Sequence, residues 1–168
     1  ENNVAMRNLQ AVTVIMSIGL LKDLVSSCPQ DVALLGLDVG KKTIGLALCD
    51  PAWGVATPLL TLRRVKFSKD MEALRAVIDE YEVGGFVVGY PLNMDGSEQQ
   101  LTKDARKFGN RIAGRFGIKV EFQDERLTTA DAKAQLFSRG GFKNLKKDNI
   151  DAESARLIIE SYLEQSYQ

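Results

Sequence analysis

Four acids stand where runs of apolar residues stop or a helical pattern starts: Asp38, Asp124, Glu125 and Asp151. A carboxylate at the mouth of a buried strand costs free energy unless something pairs with it. Clustered carboxylates repel one another unless a cation lies among them, and hard cations such as Mg2+ take oxygen ligands while keeping waters. Two such ions about 4 Å apart activate a water and stabilise the leaving oxygen of a phosphodiester. That chemistry needs no histidine, and the chain has none. The lack of histidine excludes His general bases, Ser-His and Cys-His nucleophile pairs and His-containing zinc sites. The competing reading gives each acid a separate structural role, with Asp38 closing its own hairpin, Asp151 as an N-cap and Asp124 as a loop acid beside Arg126.

Spacing restricts which acids can meet. Side chains alternate along a strand, so Asp124 and Glu125 point to opposite faces. Asp124 shares parity with apolar Val120 and Phe122, and Glu125 with Lys119, Glu121 and Gln123, which makes Glu125 the better ligand. Ala155 and Ile158 follow Asp151 at i+4 and i+7, so Asp151 shares the face that packs onto a sheet.

The elements that must carry these acids follow from periodicity. Val32 to Asp38 and Ile44 to Cys49 are apolar runs around a turn in which Gly40 supplies backbone freedom. Thr57 to Leu62 is a shorter third strand with Pro58 near its start, and short connections make these three antiparallel neighbours. A helix from Ser68 carries Met71, Leu74, Val77, Ile78 and Tyr81 inward and is expected to end at Gly84-Gly85. Phe86 to Gly89 reads as a strand covered on both faces. After the loop Tyr90–Ser97, a helix from about Glu98 to Phe116 has Leu101, Ala105, Phe108, Ile112 and Phe116 on its core face. Ile118 to Gln123 alternates like a strand near an edge, Thr128 opens another helix, and the last helix runs from about Asn149 to Glu164. The expected architecture is α/β, with a mixed five-stranded sheet in one domain over residues 32–168.

Composition bounds what remains. The chain has 168 residues and a formal net charge of +0, so no global field draws it to a polyanion and local clusters must do so. Two basic clusters qualify: the helix stripe Lys103, Lys107, Arg111 and Arg115, and the loop from Ser138 to Lys147 with Arg139, Lys143, Lys146 and Lys147. The loop leads directly to Asp151 and is expected to matter more. Cys28 and Cys49 lack CxxC spacing, and Cys49 reads as a buried hydrophobe of a reducing compartment. Residues 1–31 form an extension: Glu1 to Ile15 is set aside, Met16 is a candidate start, and Ser17 to Ser26 has a short helical pattern. Ala11 to Leu21 is too short to span a bilayer.

Four blocks, in order, carry a resemblance. They are Leu35-Gly36-Leu37-Asp38-Val39-Gly40-Lys41-Lys42-Thr43-Ile44-Gly45, Val88-Gly89-Tyr90-Pro91-Leu92-Asn93-Met94-Asp95-Gly96-Ser97, Asp124-Glu125-Arg126-Leu127-Thr128-Thr129, and Ile150-Asp151. Together they resemble the YqgF/RuvX family of RNase H-like proteins, associated with Holliday junction resolution and pre-16S rRNA processing. The resemblance implies an RNase H-like fold with helices on both faces of the sheet and hydrolysis of phosphodiesters with Mg2+ or Mn2+. It implies Asp38, Glu125 and Asp151 as an acidic triad that holds the metal, with Asp148 and Glu153 as fallback acids around the last position. Lys42 matches a lysine found after the glycine turn. Lys42, Asn93 and Arg126 in the blocks, with Lys143, Lys146 and Lys147 of the loop, are the substrate-binding candidates. The implied partner is nucleic acid, either rRNA precursor or branched DNA, with a second copy of the chain admissible, no membrane and a cytoplasmic location. Gln99-Gln100 and Ala152-Glu153-Ser154 depart from the family's usual residues without removing an acid. Two rival readings are an RNase H-like module that binds RNA without cutting it, and an actin-like ATPase. The ATPase reading is weakened because Met94-Asp95-Gly96 does not follow directly from a strand.

Overall fold

The computed structural model describes residues 31–50, 52, 54–126 and 147–166. The elements are β1 (Ala33–Val39), β2 (Thr43–Cys49), β3 (Ala56–Arg63), α1 (Phe67–Tyr81), β4 (Val83–Tyr90), α2 (Gln100–Phe116), β5 (Lys119–Asp124) and α3 (Lys147–Ser166). The expected helix from Thr128, the N-terminal extension and the loop cations Arg139, Lys143 and Lys146 lie outside the described residues, as does the side chain of Lys147.

The sheet order is β3-β2-β1-β4-β5. Short connections make β1, β2 and β3 antiparallel, whereas the helical crossovers make β4 parallel to β1 and β5 parallel to β4. Pro58 sits on the edge strand β3, opposite Ala47, where the register shifts after Leu46. An irregularity at an edge is where a residue without an N–H is tolerated.

Each sheet face has its own core, because β1 is central and apolar in both parities. Leu35, Leu37 and Val39 pack with Ile44, Leu46, Phe86 and Val88 against Leu74 of α1 and Phe108 and Ile112 of α2. Leu34, Ala47, Cys49 and Val87 pack against Ala155, Ile158, Ile159 and Tyr162 of α3. Helices therefore cover both faces. The Cys49 thiol is fully buried, and that burial, with lesser contributions from Asp50 and Glu160, pushes its pKa up to about 11.

Two boundaries differ from the sequence reading. Gly84-Gly85 does not end α1. The helix stops at Tyr81, and Glu82 takes the left-handed cap (φ 52°) with its N–H on the Ile78 carbonyl. The glycines belong to β4, where Val32 Cγ2 lies 2.4 Å from the position a Gly84 Cβ would occupy. Close side-chain approach explains glycine in this strand. Secondly, α2 begins at Gln100, after a reciprocal cap between Gln99 and Thr102. Thr102, fully buried on a face read as purely apolar, also donates its hydroxyl to the Pro91 carbonyl.

Candidate active site

The turn between β1 and β2 is closed by the Gly40 N–H donating to the Thr43 carbonyl at 2.9 Å. Among the described residues the glycines with positive φ are Gly96 and Gly117, so Gly40 does not use the freedom expected of it. Its missing side chain instead admits the Thr43 carbonyl, 3.1 Å from an ideal Cβ. Arg64 donates to the Gly40 carbonyl at 2.8 Å and lies 3.7 Å from the buried Asp70 carboxylate, which ties the turn to α1.

Asp38 stands one residue before the end of β1, half-buried. It continues the parity of Leu34 and Gly36, the residues of β1 that face α3. Gly45 of β2 is its direct partner. On the other side, the pairing of Leu37 with Val88 brings Gly89 alongside it. Both flanking residues lack a side chain on the α3 face, and both spaces are filled. An ideal Cβ on Gly45 would lie 2.0 Å from the Asp151 carbonyl oxygen, so the backbone of α3 rests directly on β2. An ideal Cβ on Gly89 would lie 2.4 Å from Glu125 Oε1 and 2.6 Å from Ile158 Cδ1. Asp38, Glu125 and Asp151 thus come to one face and one end of the sheet.

Asp151 is the fifth residue of α3, which is described from Lys147, so it lies beyond the position where an N-cap acts. Its Oδ2 accepts a hydrogen bond from Thr43 Oγ1 at 2.8 Å. In the sequence Thr43 is no more than one member of a block. In the fold it lies on the same β2 parity as Gly45 and fixes the carboxylate that the helix delivers. Of the fallback acids, Glu153 pairs with Arg156 at 2.7 Å, and the side chain of Asp148 lies outside the described residues.

Asp124 and Glu125 separate as strand parity requires. Asp124 is held by its neighbour: Arg126 donates to it from Nη2 at 2.7 Å, from Nε at 3.1 Å and from the backbone N–H at 2.9 Å. These bonds, above all those from the guanidinium, hold the Asp124 carboxyl below the usual aspartate range and raise the Arg126 pKa in return. The Glu125 N–H donates to the Tyr90 carbonyl at 3.2 Å, which sets its side chain over β4.

The substrate-binding candidates are less uniform. Lys42 is exposed in the turn that follows β1. The Asn93 side chain donates to Ser97 Oγ at 2.9 Å inside the β4–α2 loop. Arg126 reaches the same loop, donating to the Met94 carbonyl at 3.4 Å while engaged by Asp124. Asn93 and Arg126 therefore shape the loop that borders the acids.

The donor chemistry suits a hard divalent cation, since three carboxylates are carried to the end of the sheet where Gly45 and Gly89 offer no side chains. Among the described residues no three acid or thiol groups are gathered closely enough to hold one ion together. Mg2+ does not demand such a cage, because it is commonly held by one or two carboxylates with waters and substrate phosphate completing its shell.

Residues 32–165 match the family model described as RuvX: Holliday junction resolvase. A relative from Colwellia psychrerythraea, provisionally named a pre-16S rRNA nuclease, is 65% identical over 134 residues, covering 80% of this chain and 90% of its own. A relative of the same name from Escherichia coli O157:H7 is 46% identical over 134 residues, covering 80% of this chain and 97% of its own. Among solved structures, Thermus thermophilus RuvC superposes with a TM-score of 0.52 at 14% identity, over 80% of this chain and 96% of that one. At that identity the likeness speaks for the fold, and it agrees with the mixed five-stranded sheet. The match across nearly all of the described chain, with high identity to full-length relatives, places this protein in the RuvX family.

Proposed function

We propose that the protein is a divalent-metal-dependent nuclease that hydrolyses phosphodiester bonds and processes the 5′ end of pre-16S rRNA. The observation that carries this reading is that Asp38, Glu125 and Asp151 lie on one face and at one end of the sheet, beside Gly45 and Gly89. Residues 32–168 form its single RNase H-like domain, with 1–31 as an extension, and it works in the cytoplasm. No helix among the described residues is long and apolar enough to cross a membrane.

Asp38, Glu125 and Asp151 would hold Mg2+ or Mn2+. When bound, such ions activate water and neutralise charge that develops on the phosphodiester. The chain's own contribution is positional. β1 presents Asp38 from the rigid centre of the sheet, and Thr43 orients the Asp151 carboxylate. Arg126 engages Asp124 beside the β4–α2 loop, while Glu125 lies over Gly89, on the strand next to the one that carries Asp38. Lys42 is placed to meet a phosphate beside the turn, and Lys143, Lys146 and Lys147 are the further candidates for contact with the substrate backbone.

The relatives' name supports the ribosomal precursor, and the family description favours branched DNA as a second reading. The test is a cleavage assay on an RNA spanning the 5′ boundary of 16S rRNA and on a four-way DNA junction, each with Mg2+ and with Mn2+. Metal-dependent cutting of the RNA at that boundary is the expected result. Cutting confined to the junction would move the assignment to the second reading. Binding without cutting under all conditions would leave a non-cleaving module.

A further inference from the structure

On the opposite face from α3, the seam between α1 and α2 is strongly cationic, although the chain as a whole has zero formal charge. A groove of about 500 Å3 gathers Lys41 from the β1–β2 turn, Arg64 and Lys66 from the link into α1, and Lys107 and Arg111 from α2. Two acids share it, and both are engaged: Asp70 takes the Val65 N–H at 3.2 Å and faces Arg64, while Asp104 takes the Gln100 amide at 2.9 Å. Among the described residues, Lys41, Lys66, Lys107 and Arg111 have no ion pair. The groove continues past Phe67 into a second of about 600 Å3 lined by Arg75, Arg115 and Phe116, with Glu72 beside them and paired with Lys69 at 2.8 Å.

Two of the arginines lie over aromatic rings. The Arg111 guanidinium lies 3.4 Å from the Phe67 ring centroid and that of Arg75 lies 4.7 Å from the Phe116 centroid. A guanidinium held over a ring loses less freedom on binding a phosphate; Arg111 has no ion pair among the described residues, whereas Arg75 also meets Asp79 at 3.5 Å. Val65 stands 79% exposed beside Lys66. Unpaired cations interleaved with rings and an exposed apolar side chain match the phosphates and base faces of a nucleic-acid strand.

Position supports the same occupant. Lys41 and Lys42 follow Asp38 after Val39 and Gly40, so the groove opens at the turn beside the proposed site and leads to the other face. We propose that this seam binds the sugar-phosphate backbone of the nucleic-acid substrate flanking the scissile bond. The proposal rests on the nuclease reading above. It assigns part of the α2 stripe a role: Lys107 and Arg111 line the first groove and Arg115 the second, whereas Lys103 lines neither.

The test measures binding of a labelled RNA spanning the 5′ boundary of 16S rRNA, in EDTA to prevent cutting, across a series of salt concentrations. A Lys41→Ala/Lys66→Ala/Lys107→Ala variant should flatten the log–log salt slope by about 2 to 3, at roughly 0.7 to 0.9 for each phosphate left without its lysine. A variant with the same loss of charge elsewhere, Lys69→Ala/Lys103→Ala/Lys119→Ala, should leave the slope nearly unchanged. Circular dichroism and thermal unfolding would confirm that both variants are folded. An unchanged slope in the seam variant, or an equal fall in both, would overturn the proposal while the unaltered protein still binds. Failure of the unaltered protein to bind the RNA would instead remove the ribosomal-precursor reading and the seam proposal with it.

Discussion

Glu125 places its carboxylate in the space that a side chain on Gly89 would need, with Oε1 2.4 Å from the ideal Cβ position. A methyl group there would displace that carboxylate and Ile158 Cδ1 at 2.6 Å, both of them the ends of flexible side chains. Gly89→Ala is therefore expected to cost no more than about 1 kcal/mol of stability, the low end of the range for overpacking. It should also lower cleavage toward the level of Glu125→Gln. Denaturant unfolding and cleavage rates measured on the same preparations would check both. Full activity in Gly89→Ala would show that the placement of Glu125 is dispensable.

Thr43 and Asp151 provide a test of carboxylate orientation, since Thr43 Oγ1 donates to Asp151 Oδ2 at 2.8 Å. Partners that orient metal ligands typically change metal affinity by about 10- to 100-fold when removed. Thr43→Ala should raise the Mg2+ concentration for half-maximal cleavage within that range, and Thr43→Ser should restore it. A metal titration that is the same for all three proteins would show that the hydroxyl does not orient the ligand.

Asp124 and Glu125 are adjacent and should behave oppositely. Asp124→Asn loosens Arg126 from the loop but leaves Glu125 in place, so most cleavage should survive, whereas Glu125→Gln should abolish it. The pH dependence has a definite sign. The Asp124 carboxyl titrates below its ordinary value of 3.8 in the folded protein. Its contribution to stability is present above the unfolded value and is lost as pH falls through the folded one. Unfolding measured against pH should show that acid-side loss in the parent and lack it in Asp124→Asn.

Much of this arrangement is legible in the sequence, because it depends on short-range periodicity. The two-residue period separates Asp124 from Glu125, and the i+4 and i+7 spacing of Ala155 and Ile158 puts Asp151 on the sheet-facing side of α3. What escapes depends on neighbours distant in the chain. Gly45 and Gly89 look like ordinary strand glycines until β1 lies between them and Asp38 is seen to be flanked by both. Gly84-Gly85 reads as a helix stop because the approach of Val32 is invisible locally. The cations of the α1–α2 seam come from a turn, a link and a helix, so no single window gathers them. A glycine inside an apolar strand is the one available signal.

The proposed role of Lys143, Lys146 and Lys147 in phosphate binding can be tested separately from the seam. Replacing Lys143, Lys146 and Lys147 with Ala should weaken binding of the same RNA and reduce its salt slope by roughly 0.7 to 0.9 for each phosphate no longer neutralised. An unchanged slope would show that these side chains stay solvated in the complex.

The most direct measurement is cleavage of the RNA spanning the 5′ boundary of 16S rRNA by Asp38→Asn beside the parent protein, with Mg2+ and with Mn2+. The amide keeps the shape of the side chain but loses the charge that holds the cation. No metal-dependent cleavage is expected, with thermal stability equal to or above that of the parent, because repulsion among the acids falls. Full activity in pure Asp38→Asn protein would contradict the assignment of the site.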